Sequence, residues 1–251
     1  MRHLLILVVA ALSLASCSGN SSTPSAPSIP TPPPVVVTPP APTPTPTLPT
    51  RDPARFDLTF WNEFIHNAYE GPQVALRRLT APPMLYLKTV DDAGQTVDSA
   101  TLQSTETTLR DTASSWTGGL FGLAGVQRGT GTMQGQHGWV TVTWTAAVTS
   151  YCGQSDVGVD GGVITLALNT PGCGCPGGVT TSRIRPRTVA HELGHAFGFW
   201  HTDNALDLMH VPSNNCLQTP DDRELYHAGL AYQTPNSSTS SLHISSAPIL
   251  D

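Results

Sequence analysis

The sequence predicts an α+β domain in which a twisted mixed β-sheet packs against helices. Three segments, Met84–Thr89, Trp139–Trp144 and Val163–Leu168, show the alternating or mainly apolar pattern of strands. Between the first two, Asp98–Trp116 repeats its apolar residues with helical spacing. Another helix begins at Pro186, because proline is favoured in a first helical turn. The element order is therefore strand, helix, several strands, helix, loop and helix, without an internal repeat.

Two more helices are predicted at the ends of this domain. The last one has a hydroxyl cap at Thr219, a proline at its first position and two acids in its first turn, Asp221 and Asp222. Ahead of the domain, a short amphipathic helix follows from the spacing of five apolar residues, which are Phe60, Trp61, Phe64, Ile65 and Tyr69.

The N-terminus has the pattern of an export signal over residues 1–17. Its apolar run, Leu4–Leu14, is too short to span a bilayer. The ending Leu14-Ala15-Ser16-Cys17 resembles a bacterial lipobox, in which the cysteine is lipidated and becomes the first mature residue. An ordinary cleaved signal with an incidental cysteine is the alternative. We expect an exported lipoprotein on the outer membrane or cell surface, with its domain in the periplasm or extracellular space.

Composition divides the rest of the chain into segments. The stretch from Pro24 to Thr50 has 12 prolines in 27 residues, which favours an extended tether over a ligand for a Pro-binding module. We assign a Pro/Ser/Thr-rich disordered linker to 18–54, a helical extension to 55–81 and the main domain to 82–232. The Ser-rich tail, 233–251, is predicted to be disordered. The net charge of −6 and the lack of Lys/Arg runs argue against nucleic acid binding, and we expect a monomer.

Four cysteines remain in the domain, namely Cys152, Cys173, Cys175 and Cys216. An even number in an exported chain indicates two disulfides. Cys173 and Cys175 are too close to pair with each other, so each bonds to Cys152 or Cys216, in either order. The alternative is four thiolates around a structural zinc, but the spacing lacks paired C-x2-C knuckles.

Residues 191–201, HELGHAFGFWH, fit the pattern H-E-x-x-H-x-x-G-x-x-H. His191 and His195 are four residues apart, so on a helix their imidazoles share one face and can bind one metal ion. Gly198 can adopt the positive φ that ends the helix and returns His201 as a third ligand. Three imidazoles leave the fourth tetrahedral position of zinc open, as catalytic sites do. Glu192 is the candidate general base.

A helix that carries three histidines by chance is the alternative explanation. All five fixed positions of the pattern are present, and a helix start precedes them. The match is therefore too complete for chance to be the better explanation.

With these residues the chain resembles the metzincin metalloproteases, and within them the matrixins (matrix metalloproteases). Met209, in the segment LMHVP, resembles the Met-turn beneath the metal of that clan, and Asp221-Asp222 resembles the start of its last helix. The resemblance covers about residues 82–232 and is specific over 188–222. It implies a zincin-like fold with an active-site helix, a Met-turn and a C-terminal helix.

The resemblance also implies a function. The chain would be a zinc-dependent metalloendopeptidase that hydrolyses extracellular or periplasmic proteins, with one catalytic Zn²⁺, a water activated by it and Glu192 as the base. An extended substrate would add to the sheet along Val163–Leu168. The loop Met209–Thr219, which contains Cys216, would form a wall of the pocket.

Three departures from the matrixin pattern matter. No Pro-Arg-Cys-Gly segment, the cysteine switch of latent matrixins, precedes the domain. His137 is the only histidine between 67 and 190, so a second, structural zinc is not expected. Asp156 and Asp160 lie in a Gly-rich segment and could bind Ca²⁺ as matrixin loops do, although two acids among glycines are also an ordinary turn.

Two other functions remain open at this point. One is a zinc-binding lipoprotein without catalysis, against which the intact Glu192 argues. The other is a zinc hydrolase that acts on something other than peptides, which an assay on casein or gelatin would distinguish.

Overall fold

A five-stranded mixed sheet and four helices make up the described part of the chain, which in this computed structural model comprises residues 51–171, 173, 184–211 and 219–234. Helix α3 carries the histidine motif and packs against β4, β5 and α2. In chain order the elements are α1 (Leu58–His66), β1 (Met84–Lys88), α2 (Ser99–Ala113), a 3₁₀ turn (Ser115–Thr117), β2 (Gly125–Gly129), β3 (Trp139–Thr145), β4 (Gly153–Ser155), β5 (Val163–Ala167), α3 (Pro186–Phe197) and α4 (Asp222–Gln233).

The strand order in the sheet is β2-β1-β3-β5-β4. The pairs β1–β2, β1–β3 and β3–β5 are parallel, and β4 is antiparallel to β5. The expectation that substrate adds to the strand Val163–Leu168 is wrong. Both sides of that strand are already paired, through Val163 with Thr141 of β3 and through Thr165 with Gln154 of β4. The terminal strand on this side is β4.

The strands β1, β3 and β5 confirm the sequence prediction, whereas β2 and β4 were not predicted. β2 reads GVQRG, with one large apolar residue, and β4 has only three residues, GQS. Neither segment has an alternating pattern long enough to be recognised.

The helices begin close to the predicted positions, with one correction. Asp221, and not Thr219, is the N-cap of α4, because its carboxylate accepts a hydrogen bond from Glu224 N (2.8 Å). The Glu224 side chain in turn accepts from Asp221 N (2.9 Å), which completes a capping box. At the other end of the domain, α1 stops at His66, so Tyr69 lies beyond the helix and is exposed.

The predicted extension 55–81 shares one hydrophobic core with the domain 82–232. Phe60, Phe64 and Ile65 of α1 are buried and belong to the same cluster as the strands and α3. The Phe64 ring stacks on Phe199, two residues before the third histidine, with ring centroids 4.4 Å apart. Residues 55–81 are therefore in direct contact with the segment that follows the histidine helix.

Several predictions fall outside the described residues. These are the signal with Cys17, the linker to residue 50, the tail from residue 235, and Cys175 and Cys216. Among the helices that the structure describes, none combines the length and the apolar character that crossing a bilayer requires.

Candidate metal centre

The histidine motif lies on α3 and on the turn that follows it. Pro186 occupies the start of the helix, and Gly198 ends it with φ of 110°. A Cβ at Gly198 would also lie 2.0 Å from the Arg77 carbonyl oxygen, so both the turn and the packing require glycine. Beyond this turn the chain returns, and His191, His195 and His201 converge in the buried interior.

The Nε2 atoms of the three rings face one another. The distances are 3.2 Å between His191 and His195 and 3.0 Å between His195 and His201. Three nitrogens bound to one tetrahedral zinc at its usual bond length lie about 3.3 Å apart. The rings are thus already at the spacing of a shared metal ion.

Contacts at Nδ1 determine the tautomer of the first two rings. His191 Nδ1 lies 2.7 Å from Leu208 O and His195 Nδ1 lies 2.7 Å from Phe199 O. A carbonyl oxygen only accepts, so each Nδ1 carries the proton and each Nε2 keeps its lone pair. The third ring has its Nδ1 2.8 Å from Glu70 Oε2, a carboxylate that also accepts.

This arrangement fits a zinc ion. Burial lowers the pKa of His191 and of His195 well below its ordinary value, and the neighbouring imidazoles lower it further, so both rings are neutral. Neutral lone pairs that converge without a donor among them repel one another unless a cation lies between them. Three imidazole Nε2 atoms that face one another are a donor set suited to zinc.

Glu192, the candidate general base, is also fully buried on α3. It lies against Gly153, the first residue of β4, so closely that a Cβ at position 153 would be 2.5 Å from Glu192 Oε1. The carboxylate is therefore placed between the histidine helix and the terminal strand of the sheet.

Met209, the residue predicted for the Met-turn, packs against the histidine helix α3. It is fully buried, and its sulfur packs against the backbone of Gly194, next to His195. Two polar side chains hold the turn around it. Arg187 Nη2 donates to Leu208 O (2.8 Å), the same oxygen that His191 contacts, and Glu224 accepts from Leu208 N (3.0 Å) and Met209 N (2.9 Å). Burial raises the pKa of Glu224 to about 8, against the opposing effect of these backbone donors.

Three side chains of this centre were not predicted, namely Glu70, Arg187 and Glu224. Arg187 and Glu224 lie near motif residues in sequence, but a charge near a helix start has many ordinary roles. The sequence expectation pointed to Asp221-Asp222, whereas Glu224 is the acid that contacts the Met209 turn. Glu70 is remote from the motif in the sequence, and no local pattern marks it.

The two calcium candidates make turn hydrogen bonds. Asp156 Oδ2 accepts from Val163 N (2.9 Å), and Asp160 Oδ1 accepts from Gly138 N (2.6 Å) and its other oxygen contacts His137. Among the described residues, the group able to hold a metal is the histidine cluster. The geometry of Asp156 and Asp160 is that of turn residues, and calcium binding there stays a prediction.

A disulfide joins Cys152 to Cys173, one of the two bonds that the sequence left open for Cys152. The alternative of four thiolates around a structural zinc is therefore wrong. Cys152 directly precedes β4, and its carbonyl accepts from Ala167 N of β5 (2.9 Å). The disulfide thus fixes the start of the strand that contacts Glu192.

No protein-family model and no curated protein sequence matches the chain. Among solved structures, the crystal structure of metalloproteinase-II from Bacteroides fragilis is similar, with 16% sequence identity and a TM-score of 0.42. The similarity covers 61% of this chain and 54% of that chain, so the match spans about half of that protein. A similarity this weak supports no functional argument, and the function rests on the site itself.

Proposed function

We propose that the protein is a zinc-dependent metalloendopeptidase of the metzincin type, nearest the matrixins. The observation that carries this proposal is the convergence of three imidazoles beside a buried glutamate. The Nε2 atoms of His191, His195 and His201 face one another, and the carboxylate of Glu192 follows the first of them on the same helix. A closed structural site would provide a fourth protein ligand, whereas the cluster found among the described residues has three histidines, which would leave a position for water.

The protein residues have separate roles in this mechanism. Zinc, when bound, supplies a Lewis acid that lowers the pKa of water and polarises the scissile carbonyl. Glu192 accepts the proton of the attacking water and delivers it to the leaving amine. The Nδ1 hydrogen bonds of His191 and His195 keep both rings in the tautomer and orientation that metal binding needs.

We place the substrate along β4, and not along β5. β4 is the terminal strand on its side of the sheet, and Gly153 at its start contacts the Glu192 side chain. An extended peptide that pairs with β4 through backbone hydrogen bonds would bring a scissile bond near the base. The proposed pocket wall, 209–219, is described only at Met209–Val211 and Thr219.

The assay that tests this proposal combines metal content with hydrolysis. The purified protein should contain about one zinc per chain and should cleave casein or gelatin. Removing the metal with a chelator should abolish cleavage, and one equivalent of zinc should restore it. Hydrolysis that persists in the metal-free protein would contradict the proposal, as would a zinc-loaded protein that cleaves no peptide.

We also propose that Cys17 carries a lipid that anchors the protein to a membrane, as its lipobox-like context indicates. Cys17→Ala should leave the protein soluble or unprocessed. A variant that still sediments with membranes after a salt wash would contradict this anchor.

A further inference from the structure

The third histidine differs from the other two in how it is held. His191 and His195 are fixed on one face of α3. Their Nδ1 atoms donate to the backbone carbonyls of Leu208 and Phe199, which follow the helix in the sequence. His201 lies beyond the Gly198 turn, where no helix orients its ring. Its Nδ1 partner is a side chain, the carboxylate of Glu70, at 2.8 Å.

Glu70 belongs to a loop that follows α1. The base of this loop is closed by two contacts between His66 and Val74, a backbone bond from Val74 N to His66 O (2.9 Å) and an approach of His66 Nδ1 to Val74 O (2.7 Å). Asn67 begins the loop with φ of 60° and donates back to Glu63 O. These hydrogen bonds give the loop a defined conformation, and this conformation places Glu70 next to His201.

The same region of the chain surrounds the turn that carries His201. Phe64 O accepts a hydrogen bond from Trp200 N (2.8 Å), and the Phe64 ring stacks on Phe199. Glu63 Oε2 accepts from Asp203 N (3.3 Å). Residues on both sides of the third histidine are therefore held by α1, and the Glu70 loop adds a contact to the ring itself.

We propose that Glu70 is a positioning residue for the metal and that it acts through the ring of His201. The carboxylate lies 2.8 Å from His201 Nδ1, and a negative charge at this position favours a proton on Nδ1, leaves the Nε2 lone pair for the metal and makes the imidazole a stronger donor. His201 is almost fully buried whereas Glu70 is 30% exposed, so the carboxylate reaches inward from the surface. This inference rests on the proposed zinc site.

Zinc affinity of the full chain tests the proposal independently of hydrolysis. We suggest measuring the zinc Kd by competition with a chromophoric chelator for the parent, Glu70→Ala and Glu70→Gln. Loss of a carboxylate beside a ligating histidine weakens metal binding by about 10–100-fold, and we expect this for Glu70→Ala. Glu70→Gln retains an acceptor oxygen without the charge, so its Kd should fall between the two.

The matched control is Glu63→Gln. Glu63 is another acid of the same region and contacts the backbone near His201 without touching the ring. Its zinc Kd should stay within about twofold of the parent value, against the 10–100-fold effect expected for a carboxylate that contacts a ligand. The visible spectrum of the Co²⁺-loaded protein gives a second measurement, because it reports the ligand geometry. It should change in Glu70→Ala and not in Glu63→Gln, while the thermal unfolding midpoint of the metal-free proteins stays similar.

The outcomes separate the two proposals. Zinc binding by the parent with an unchanged Kd in Glu70→Ala would overturn the role of Glu70 and leave the protease proposal intact. Equal weakening in Glu70→Ala and Glu63→Gln would show general loosening of the turn and would also overturn it. A parent protein that binds no zinc would overturn the proposed function itself. If Glu70→Ala does not fold, the nearly isosteric Glu70→Gln decides, and a parental Kd in that variant overturns the role of the charge.

Discussion

The sulfur of Met209 lies directly against the backbone of Gly194, at a point where a Cβ at position 194 would be only 2.7 Å from it. The same Cβ would lie 2.9 Å from the ring of Trp116, which is fully buried. A glycine within a helix normally costs about 1 kcal/mol relative to alanine. Here the close approach of Met209 and Trp116 outweighs that propensity.

We therefore expect Gly194→Ala to destabilise the protein by about 1–3 kcal/mol, the usual cost of overpacking a core. The free energy of unfolding from urea titration would measure this. Gly122→Ala is the matched control, because a Cβ there would meet its nearest neighbour, Ser114, at an ordinary 3.9 Å. Stabilisation by Gly194→Ala would mean that the packing against Met209 is looser than described.

Glu192→Gln should separate catalysis from metal binding. The amide keeps the shape of the side chain but cannot accept a proton, so peptide hydrolysis should fall by about 10²–10⁴-fold. Zinc content should stay near one per chain, because the three histidines are untouched. His195→Ala should instead lose the metal. Parental turnover in Glu192→Gln would remove this residue from the mechanism and favour a binding protein.

Glu224→Gln should destabilise the turn around Met209. The two oxygens of Glu224 accept from three backbone N–H groups, those of Leu208, Met209 and Asp221. An amide nitrogen cannot accept, so at least one buried donor would lose its partner, at a cost of about 1–3 kcal/mol. Asp222→Asn, an exposed acid in the same helical turn, should have little effect on the unfolding free energy. Equal effects of the two substitutions would contradict this role.

His191 and His195 should stabilise the metal-free protein less as the pH falls, whereas Glu224, whose pKa burial raises to about 8, acts in the opposite direction. The pKa of His191 and of His195 is lowered in the folded state by burial and by neighbouring imidazoles, whereas in the unfolded chain both titrate near 6.5. Their contribution to stability is complete above about pH 6.5. Below it, the two rings bind more protons in the unfolded state, and their contribution to the free energy of unfolding drops by up to about 1.4 kcal/mol per pH unit for each ring.

Urea titrations of chelator-treated protein at several pH values between 7.5 and 5 would measure this loss. His195→Gln removes one of the two titrating rings and should have a shallower pH dependence. The same slope in the parent and the variant would show that these rings are not the cause.

Thiol counting tests the remaining disulfide. With Cys152 bonded to Cys173, the predicted pairing leaves Cys175 for Cys216. Denatured, unreduced mature protein should then contain no free cysteine in the domain. Two reactive thiols would show that Cys175 and Cys216 are not bonded, and each disulfide present should stabilise the protein by about 2–4 kcal/mol.

The helix that carries the histidines could be predicted from the sequence, because its start, its end and the spacing of its ligands depend on local patterns. Pro186 and Gly198 bound α3 as expected, since proline and glycine act through their own backbone angles. The spacing of His191 and His195 likewise places both on one face of the helix. β4 was not predicted, because three residues are too few to show a periodic pattern. Without β4, the strand Val163–Leu168 would be the edge of the sheet, and the expectation that substrate pairs with it was wrong.

The contacts made by charged side chains could not be predicted for a different reason. Glu70 and Glu224 contact His201 and Met209 through the tertiary fold, and neither contact leaves a mark in the local sequence. An acidic residue in a loop or in a first helical turn is ordinary in itself. Only the folded chain brings these acids into contact with His201 and with the turn at Met209.

The contact between Glu70 and His201 has a consequence for the timing of maturation. One partner lies near the beginning of the folded region and the other near its end, so a chain that has not finished folding carries the histidines without the carboxylate. The site would then reach its full zinc affinity last, after the two ends of the domain have come into contact. A partly folded chain would be a poor competitor for the metal, so the proposed protease would acquire zinc only after its own core has closed.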